Sequence, residues 1–262
     1  MGKKLANAPI FYILGQIRFN PVLNMADFVP KIHERIRKEF PEVRQEELRR
    51  IQMNLATAES GDVVNNLAAP RWIFSNLWKN AGYLLYTDSI VFHTSAYETS
   101  AEFSNALLRG IQLIDEAVGL SYIDGVGVRT LDAIIPENGR PLDFYLNRQV
   151  LGFHGLLDGE LRQNMTENVT QFPTGQQVSR VVILKGVLGI PFDLFPITLT
   201  LGTRFQQLNG VHAIVDLDHN RQERFEFDLN EIRGRIRQVK EGVTDVFKKV
   251  VTQEALIAWD SN

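Results

Sequence analysis

The sequence of 262 residues contains no cysteine. This absence excludes disulfide bridges, thiolate zinc sites, cysteine-ligated iron–sulfur clusters and a cysteine nucleophile. An excess of one charge is also lacking, since 28 Lys and Arg residues stand against 31 Asp and Glu residues and give a formal charge of −3. Such a balance argues against a strong overall field that attracts nucleic acid or anionic lipid. The composition indicates an ordinary globular protein and points to no particular partner.

Long apolar runs and a targeting segment are missing as well. The residues that follow Met1 lack the apolar core and the cleavage site of a signal peptide. Apolar runs such as Ile10 to Leu14 are far too short to span a bilayer. We therefore predict a cytoplasmic protein with no membrane partner.

Common catalytic signatures are lacking too. The sequence has neither a phosphate-binding loop that ends in Gly-Lys-Ser/Thr nor a Gly-x-Ser-x-Gly nucleophile elbow. Gly125 and Gly127 follow a strand-like segment, but Thr130 stands where a dinucleotide-binding fingerprint needs its third glycine. The two glycines instead favour a bulge or close packing of another backbone. His93 lies in an apolar strand and is predicted to be a packed histidine, and no cofactor is predicted.

The first half of the chain, residues 1–136, combines alternating and helical patterns. Ile10 to Asn20 alternates as a half-buried strand, and steps of four from Phe28 to Phe40 predict a helix. Thr99 and Glu102 form a capping-box signal before another helix. The remaining elements are a charged helical piece at Gln45 to Leu55 and strands at Trp72 to Phe74, Tyr83 to Thr87, Ile90 to Thr94 and Tyr122 to Ile135. Their order predicts a ferredoxin-like half with an extra strand.

The second half, residues 137–262, begins at a turn-rich junction around Pro136 and Pro141. Asp228 and Glu231 form a capping box ahead of a long C-terminal helix. Before it we predict a short helix at Leu142 to Arg148 and strands at Gln163 to Phe172, Val178 to Lys185, Pro196 to Thr203 and Val211 to Asp218. The expected fold is α+β, with two related sheet-and-helix halves, the second an antiparallel meander closed by the helix. The repeated order suggests an internal duplication, and the halves can also form one compact unit.

Several short motifs of the chain together resemble an uncharacterised, sporadically distributed bacterial family of about this length. The motifs are Ala8-Pro9-Ile10 with Arg18-Phe19, Trp72-x-Phe74, Tyr97 with Phe103, Gly125-Val126-Gly127-Val128-Arg129, Asp216-Leu217-Asp218, and Phe247 with Thr252. The chain departs from the family at Thr130-Leu131-Asp132, where an aromatic residue, an aliphatic residue and Asn are expected. The resemblance implies a fold and carries no catalytic residues, because the family has no established activity.

The densest group of possible metal ligands lies between Val211 and Asn220. Strand alternation places His212, Asp216 and Asp218 on one face and turns His219 away from the aspartates. His212 would lie about 13 Å from Asp216, whereas the two aspartates would be about 7 Å apart. The candidate metal ligands are therefore Asp216 and Asp218, which need a third ligand from elsewhere. A plain amphipathic strand is the alternative interpretation.

Two other segments could form contacts with partners. The C-terminal helix carries a basic stripe whose candidate nucleic-acid contacts are Arg233, Arg237, Lys240 and Lys248, although a solvated face is favoured. Its apolar seam suits packing on a sheet or pairing in a homodimer. The apolar loop from Leu188 to Phe195 suggests an interface. The predicted interface residues are Ile190, Phe192, Phe195, Val239 and Val243.

The patterns favour a non-enzymatic protein-interaction or ligand-binding component of a bacterial accessory system. The sporadic distribution of the resembled family suggests phage defence or toxin control as its context. A protein partner is expected, and a homodimer is a second possibility. The alternative function is a metal-dependent hydrolase or nuclease that uses Asp216 and Asp218. Nucleic-acid binding through the basic C-terminal helix ranks third.

Overall fold

A computed structural model describes residues 7–50 and 67–260 of the chain. The helices are α1 (Met25–Ile36), α2 (Ser100–Val118), α3 (Leu229–Val250) and α4 (Gln253–Asp260). The strands are β1 (Ile10–Phe19), β2 (Glu42–Arg50), β3 (Leu67–Ser75), β4 (Ala81–Leu85), β5 (Ser89–Thr94), β6 (Tyr122–Ile134), β7 (Gln163–Phe172), β8 (Gly175–Lys185), β9 (Val211–Arg221) and β10 (Phe225–Glu226). The predicted α+β class is confirmed.

All ten strands belong to one antiparallel sheet. Their order is β2-β3-β4-β5-β1-β6-β9-β8-β7, and the short β10 pairs with β6. The sheet crosses the predicted boundary at residue 136, because β6 before it pairs with β9 after it along nine residues of each strand. The two predicted halves therefore share one sheet, and the ferredoxin-like arrangement expected for the first half stays a prediction.

The strand order repeats on the two sides of the β1–β6 pair. In the first half, β3, β4 and β5 form a meander whose last strand pairs with β1, and α2 follows. In the second half, β7, β8 and β9 form a meander whose last strand pairs with β6, and α3 follows after β10. The repeated element order inferred from the sequence is thus present in the topology.

The two faces of the sheet have different coverings. Helices α1, α2 and α3 pack on one face, where their apolar residues join Ile13, Val128 and Val215 of the central strands in the main core. On the opposite face, part of the chain between β8 and β9 packs on a smaller apolar cluster that includes Leu131 and Ile214. We call this opposite side the open face, because residues 186–210 cover only part of it.

The ends of α2 and α3 lie where the local sequence signals predict them. The Thr99 hydroxyl accepts a hydrogen bond from the Glu102 amide at 3.1 Å, and α2 ends at the left-handed Gly119. The Asp228 carboxylate accepts bonds from the Asn230 and Glu231 amides at the start of α3, both at 2.8 Å. These N-caps confirm the two helix starts that the capping-box signals predicted.

Three predicted elements differ from the structure. The charged segment expected to be helical forms the edge strand β2, and residues 51–55 of that prediction lie outside the described ranges. Charged side chains suit an edge because they discourage pairing with other chains. Pro196 to Thr203 forms no strand, because its apolar residues pack onto the open face instead of joining a ladder. The predicted helix at Leu142 to Arg148 is only a 3-10 turn at Leu142–Phe144.

Candidate functional site

A cleft of about 560 Å³ lies on the open face of the sheet. Strands β1, β4, β5 and β6 supply its floor, and residues 193–198 of the β8–β9 connection form one side. Ordinary ligand pockets in proteins have volumes of about 300–1,000 Å³, so the cleft is large enough for a small molecule or a short peptide segment.

A trough runs along β6 through this cleft because two floor positions lack side chains. Gly125 pairs with Arg18 of β1, and Gly127 pairs with Gln16 of β1 and with Asn220 of β9. A Cβ atom at position 125 would lie only 2.9 Å from the Arg221 carbonyl oxygen. Close packing of a neighbouring backbone, which we predicted for these glycines, is confirmed at Gly125.

The walls of the trough differ in chemistry. Gln16 and Arg18 line it from β1, and Asp218 and Asn220 line it from β9. Arg18 is exposed and forms no ion pair with any described residue. Burial raises the pKa of Asp218, although the charge of Arg129 opposes this shift. One wall is therefore cationic and the other carries an acid and an amide.

Arg129 lies next in line after the glycines and forms the centre of a charged network. Its guanidinium binds Asp216 through Nε–Oδ1 at 2.7 Å and Nη2–Oδ2 at 2.8 Å, and these two side chains are only 7% and 2% exposed. The same guanidinium binds Asp193 through Nη2–Oδ1 at 3.2 Å and through an Nη1–Oδ2 contact. Arg180 of β8 reaches Asp216 at 3.4 Å and also binds Glu167. Buried charges of this kind require pairing, which the network provides.

The network favours the ionised forms of Arg129 and Asp193. Burial alone disfavours a charged guanidinium, but the hydrogen bonds to Asp216 and Asp193 outweigh it and raise the pKa of Arg129. Burial likewise opposes ionisation of Asp193, yet Arg129 lowers the pKa of that carboxyl. Both partners therefore remain ionised at neutral pH.

His93 lies on the β5 side of the floor and is structural. Its Nδ1 lies 2.7 Å from the Tyr12 hydroxyl, and the residue is fully buried. Burial lowers the pKa of His93 to about 3, so the imidazole is neutral at physiological pH. The prediction that His93 is a packed, hydrogen-bonded histidine is confirmed.

The predicted metal ligands lie on the same face, and Asp216 is bound to arginine there. Both oxygens of Asp216 accept hydrogen bonds from Arg129. His212 also points to this face, and its Nδ1 is 3.2 Å from the Gly210 carbonyl oxygen. His219 points to the helix side, as expected, with Nδ1 3.1 Å from Gln177 Oε1. Within residues 7–50 and 67–260, no three His, Asp or Glu side chains group in a way that could hold a metal, so the aspartates gain no third ligand.

The C-terminal helix uses its apolar seam within the chain. Val239 and Val243, which we predicted as interface residues, are 0% and 2% exposed in the main core and are unavailable to a partner. This follows because α3 packs on the sheet, the first of the two arrangements that the seam allows. Lys240 is half-buried, with Nζ 5.5 Å from the Tyr97 ring centroid, so it is poorly placed for phosphates.

The other predicted contact residues lie at the surface. Arg233, Arg237 and Lys248 are exposed on α3, on the side of the molecule opposite the cleft. In the β8–β9 connection, Phe192 is 94% and Phe195 is 68% exposed, whereas Ile190 is partly covered. Phe195 also lines the cleft, so the predicted interface loop and the cleft adjoin.

The residues of the charged network that sequence reasoning missed are Arg129, Arg180 and Asp193. Alternation could have placed Arg129 on the same face of β6 as the glycines. Nothing local indicates its partners, because Asp193 is 64 and Asp216 is 87 residues away in the chain.

Comparisons with known proteins identify no family for this chain. No model of a protein family matches the sequence, and no curated protein matches it significantly. In the part of the chain that the structure describes, no helix has the length and apolar character needed to cross a membrane.

Proposed function

We propose that this chain is a non-enzymatic binding component that receives a ligand, or a short segment of a partner protein, in the cleft of the open face. The observation that carries the proposal is the glycine trough along β6, which leaves space between two polar walls. Gly125 and Gly127 add no side chains to the floor; the Arg221 backbone already packs against Gly125, so a close approach of an extended ligand to the β6 backbone is expected at Gly127.

The chemistry of the cleft supports binding rather than turnover. Arg129 holds the carboxylates of Asp216 and Asp193, and His93 is buried and neutral. These groups are fixed by partners within the chain, whereas a general acid or base must reach the substrate proton. The exposed Arg18 and the amides of Gln16 and Asn220 can hydrogen-bond a ligand without reacting with it.

The exposed aromatic side chains of the adjoining loop support a protein partner. Phe195 lines the cleft, and the exposed Phe192 lies in the same loop; aromatic residues commonly provide the buried anchors of interfaces. The role of such a component in a bacterial accessory system, in phage defence or toxin control, rests on the family resemblance of the sequence.

The test compares two charge reversals on opposite sides of the molecule. Arg18→Glu changes the exposed wall of the trough, and Arg233→Glu makes the same change on the exposed side of α3. Each protein is purified from its native cells, and bound small molecules and proteins are quantified by mass spectrometry. We expect the wild type and Arg233→Glu to carry the same stoichiometric component and Arg18→Glu to lose it.

Three results would contradict the proposal. Full retention by Arg18→Glu would exclude the trough as the binding site. Loss only in Arg233→Glu would move binding to the basic face of α3 and favour the nucleic-acid hypothesis. A wild-type protein that carries nothing stoichiometric from its native cells would also count against a binding component.

A further inference from the structure

The turn at residues 192–194 reaches over the sheet and places a carboxylate on a buried arginine. The Asp193 side chain is 64% exposed, whereas that of Arg129 is only 7% exposed. Phe192 and Phe195, on either side of Asp193 in the loop, are exposed and do not anchor the turn, although Leu194 packs on the apolar cluster of the open face. The carboxylate is therefore the main polar anchor of this turn.

Arg129 presents a preformed fork to this carboxylate. Asp216 of the neighbouring strand β9 accepts from Nε and from one Nη2 hydrogen and so fixes the plane of the guanidinium. The remaining edge, formed by Nη1 and Nη2, points towards the loop and is occupied by Asp193. A planar guanidinium edge of this kind matches a carboxylate in shape and charge.

We propose that the fork of Arg129 is a carboxylate-binding subsite of the cleft, that Asp193 is its internal occupant, and that a carboxylate of the ligand displaces Asp193 when it binds. This inference rests on the proposed binding function and names the ligand class, an acidic small molecule or an acidic peptide segment. Displacement of Asp193 also frees the turn that carries Phe192 and Phe195, so binding in the cleft changes the surface of the loop.

Charge balance favours a carboxylate over a dianionic group. Asp216 already neutralises the positive charge of Arg129, and the charge of Arg180 is shared between Asp216 and Glu167. Exchange of Asp193 for another monoanion leaves this balance unchanged. A phosphate dianion would add a second negative charge beside Asp216 and Asp218.

The internal carboxylate must weaken the binding of external ones. A site that can bind a ligand only while Asp193 is detached has an apparent association constant equal to the intrinsic one multiplied by the fraction of time that Asp193 is detached. If the loop carboxylate is bound nine-tenths of the time, its removal strengthens ligand binding about tenfold. Because Asp193 is mostly exposed, Asp193→Ala leaves the core packing unchanged.

The test uses acetate as the probe at constant ionic strength, with chloride as the reference anion. Acetate affinity is measured by titration calorimetry and by the rise in melting temperature, and opening of residues 186–197 by hydrogen exchange. Asp193→Ala should bind acetate saturably and at least about tenfold more tightly than the wild type. Asp124→Ala, which removes the acid of the exposed Arg224 pair, is the matched control and should behave as wild type.

A second variant keeps the inference falsifiable if packing changes. Arg129→Lys in the Asp193→Ala background retains the charge but loses the fork, so the acetate effect should disappear. Equal acetate effects in the wild type, Asp193→Ala and Asp124→Ala would overturn the subsite, and so would a preference for inorganic phosphate over acetate.

The outcome is separable from that of the proposed function. Tight acetate binding by Asp193→Ala together with full ligand retention by Arg18→Glu would support the subsite and contradict the trough. The opposite pair of results would support the trough and overturn the subsite.

Discussion

Replacement of Asp216 by alanine removes the inner partner of Arg129 and leaves the guanidinium buried with only the loop carboxylate of Asp193. The side chains of Arg129 and Asp216 are 7% and 2% exposed, so solvent screening does little to reduce the loss of folding stability. Removal of one member of such a buried pair typically costs about 3–5 kcal/mol of folding stability. For a chain of this size each kcal/mol corresponds to about 2–4 °C, so the melting temperature should fall by roughly 6–20 °C.

The measurement is urea denaturation followed by circular dichroism, with melting temperature as a second readout. Glu160→Ala, which breaks the exposed ion pair with Arg162, is the control and should cost less than about 1 kcal/mol. The double variant Arg129→Met, Asp216→Leu replaces the pair by apolar groups and should recover most of the loss.

The same variants separate the ion pair from the metal hypothesis. Asp216→Ala is assayed for manganese and magnesium by elemental analysis beside the wild type. A stability loss below about 1 kcal/mol would refute the argument that Asp216 serves as the partner of buried Arg129. Loss of a stoichiometric metal, which the wild type holds, would restore Asp216 and Asp218 as ligands of a hydrolase or nuclease.

The remaining predictions concern the helix side of the sheet. Gly242→Ala places a Cβ atom 2.4 Å from His219 Nδ1, so it should destabilise by about 1–3 kcal/mol, while Gly234→Ala, with open space around it, should stabilise by up to about 1 kcal/mol. Equal effects in urea denaturation would contradict this packing argument. Burial raises the pKa of Asp132 to about 7, although Lys240 opposes the shift. The neutral form is favoured in the folded state, so stability should be lost as pH rises from about 4 through 7, by at most about 4 kcal/mol. Asp132→Asn should not lose stability in this way. If the difference in unfolding free energy between the wild type and Asp132→Asn stayed constant across this pH range, the predicted role of Asp132 would be refuted.

Local signals explain which parts of the fold the sequence predicts. Thr99 and Asp228 are hydrogen-bonded to amides within three residues, so their helix starts are readable from a few positions. Alternation in β9 correctly separated His219 from the aspartates because a strand has a period of two. The edge strand β2 was predicted as a helix because its charged residues show no alternation that marks a buried face. A solvent-exposed helix has the same charged composition.

The candidate site depends on pairings that no local pattern contains. Its trough forms only because β6 pairs with β1 on one side and with β9 on the other. Asp193 lies in an irregular connection whose path over the sheet is set by Leu199 and Phe205 in the second apolar cluster. Asp216 was recognised as chemically important from the sequence, but its cationic partner could not be identified without the sheet register.

The trough at the β1–β6 junction takes each wall from a different half of the repeated topology. Arg18 comes from the first half and Asp218 from the second, so each wall could change in sequence independently of the other. The trough consequently has a fixed polarity across its width, from a cationic wall to an acidic one. A ligand that carries both a positive and a negative charge can pair with both walls in only one orientation. The repeated order of the strands therefore determines the direction in which such a ligand lies.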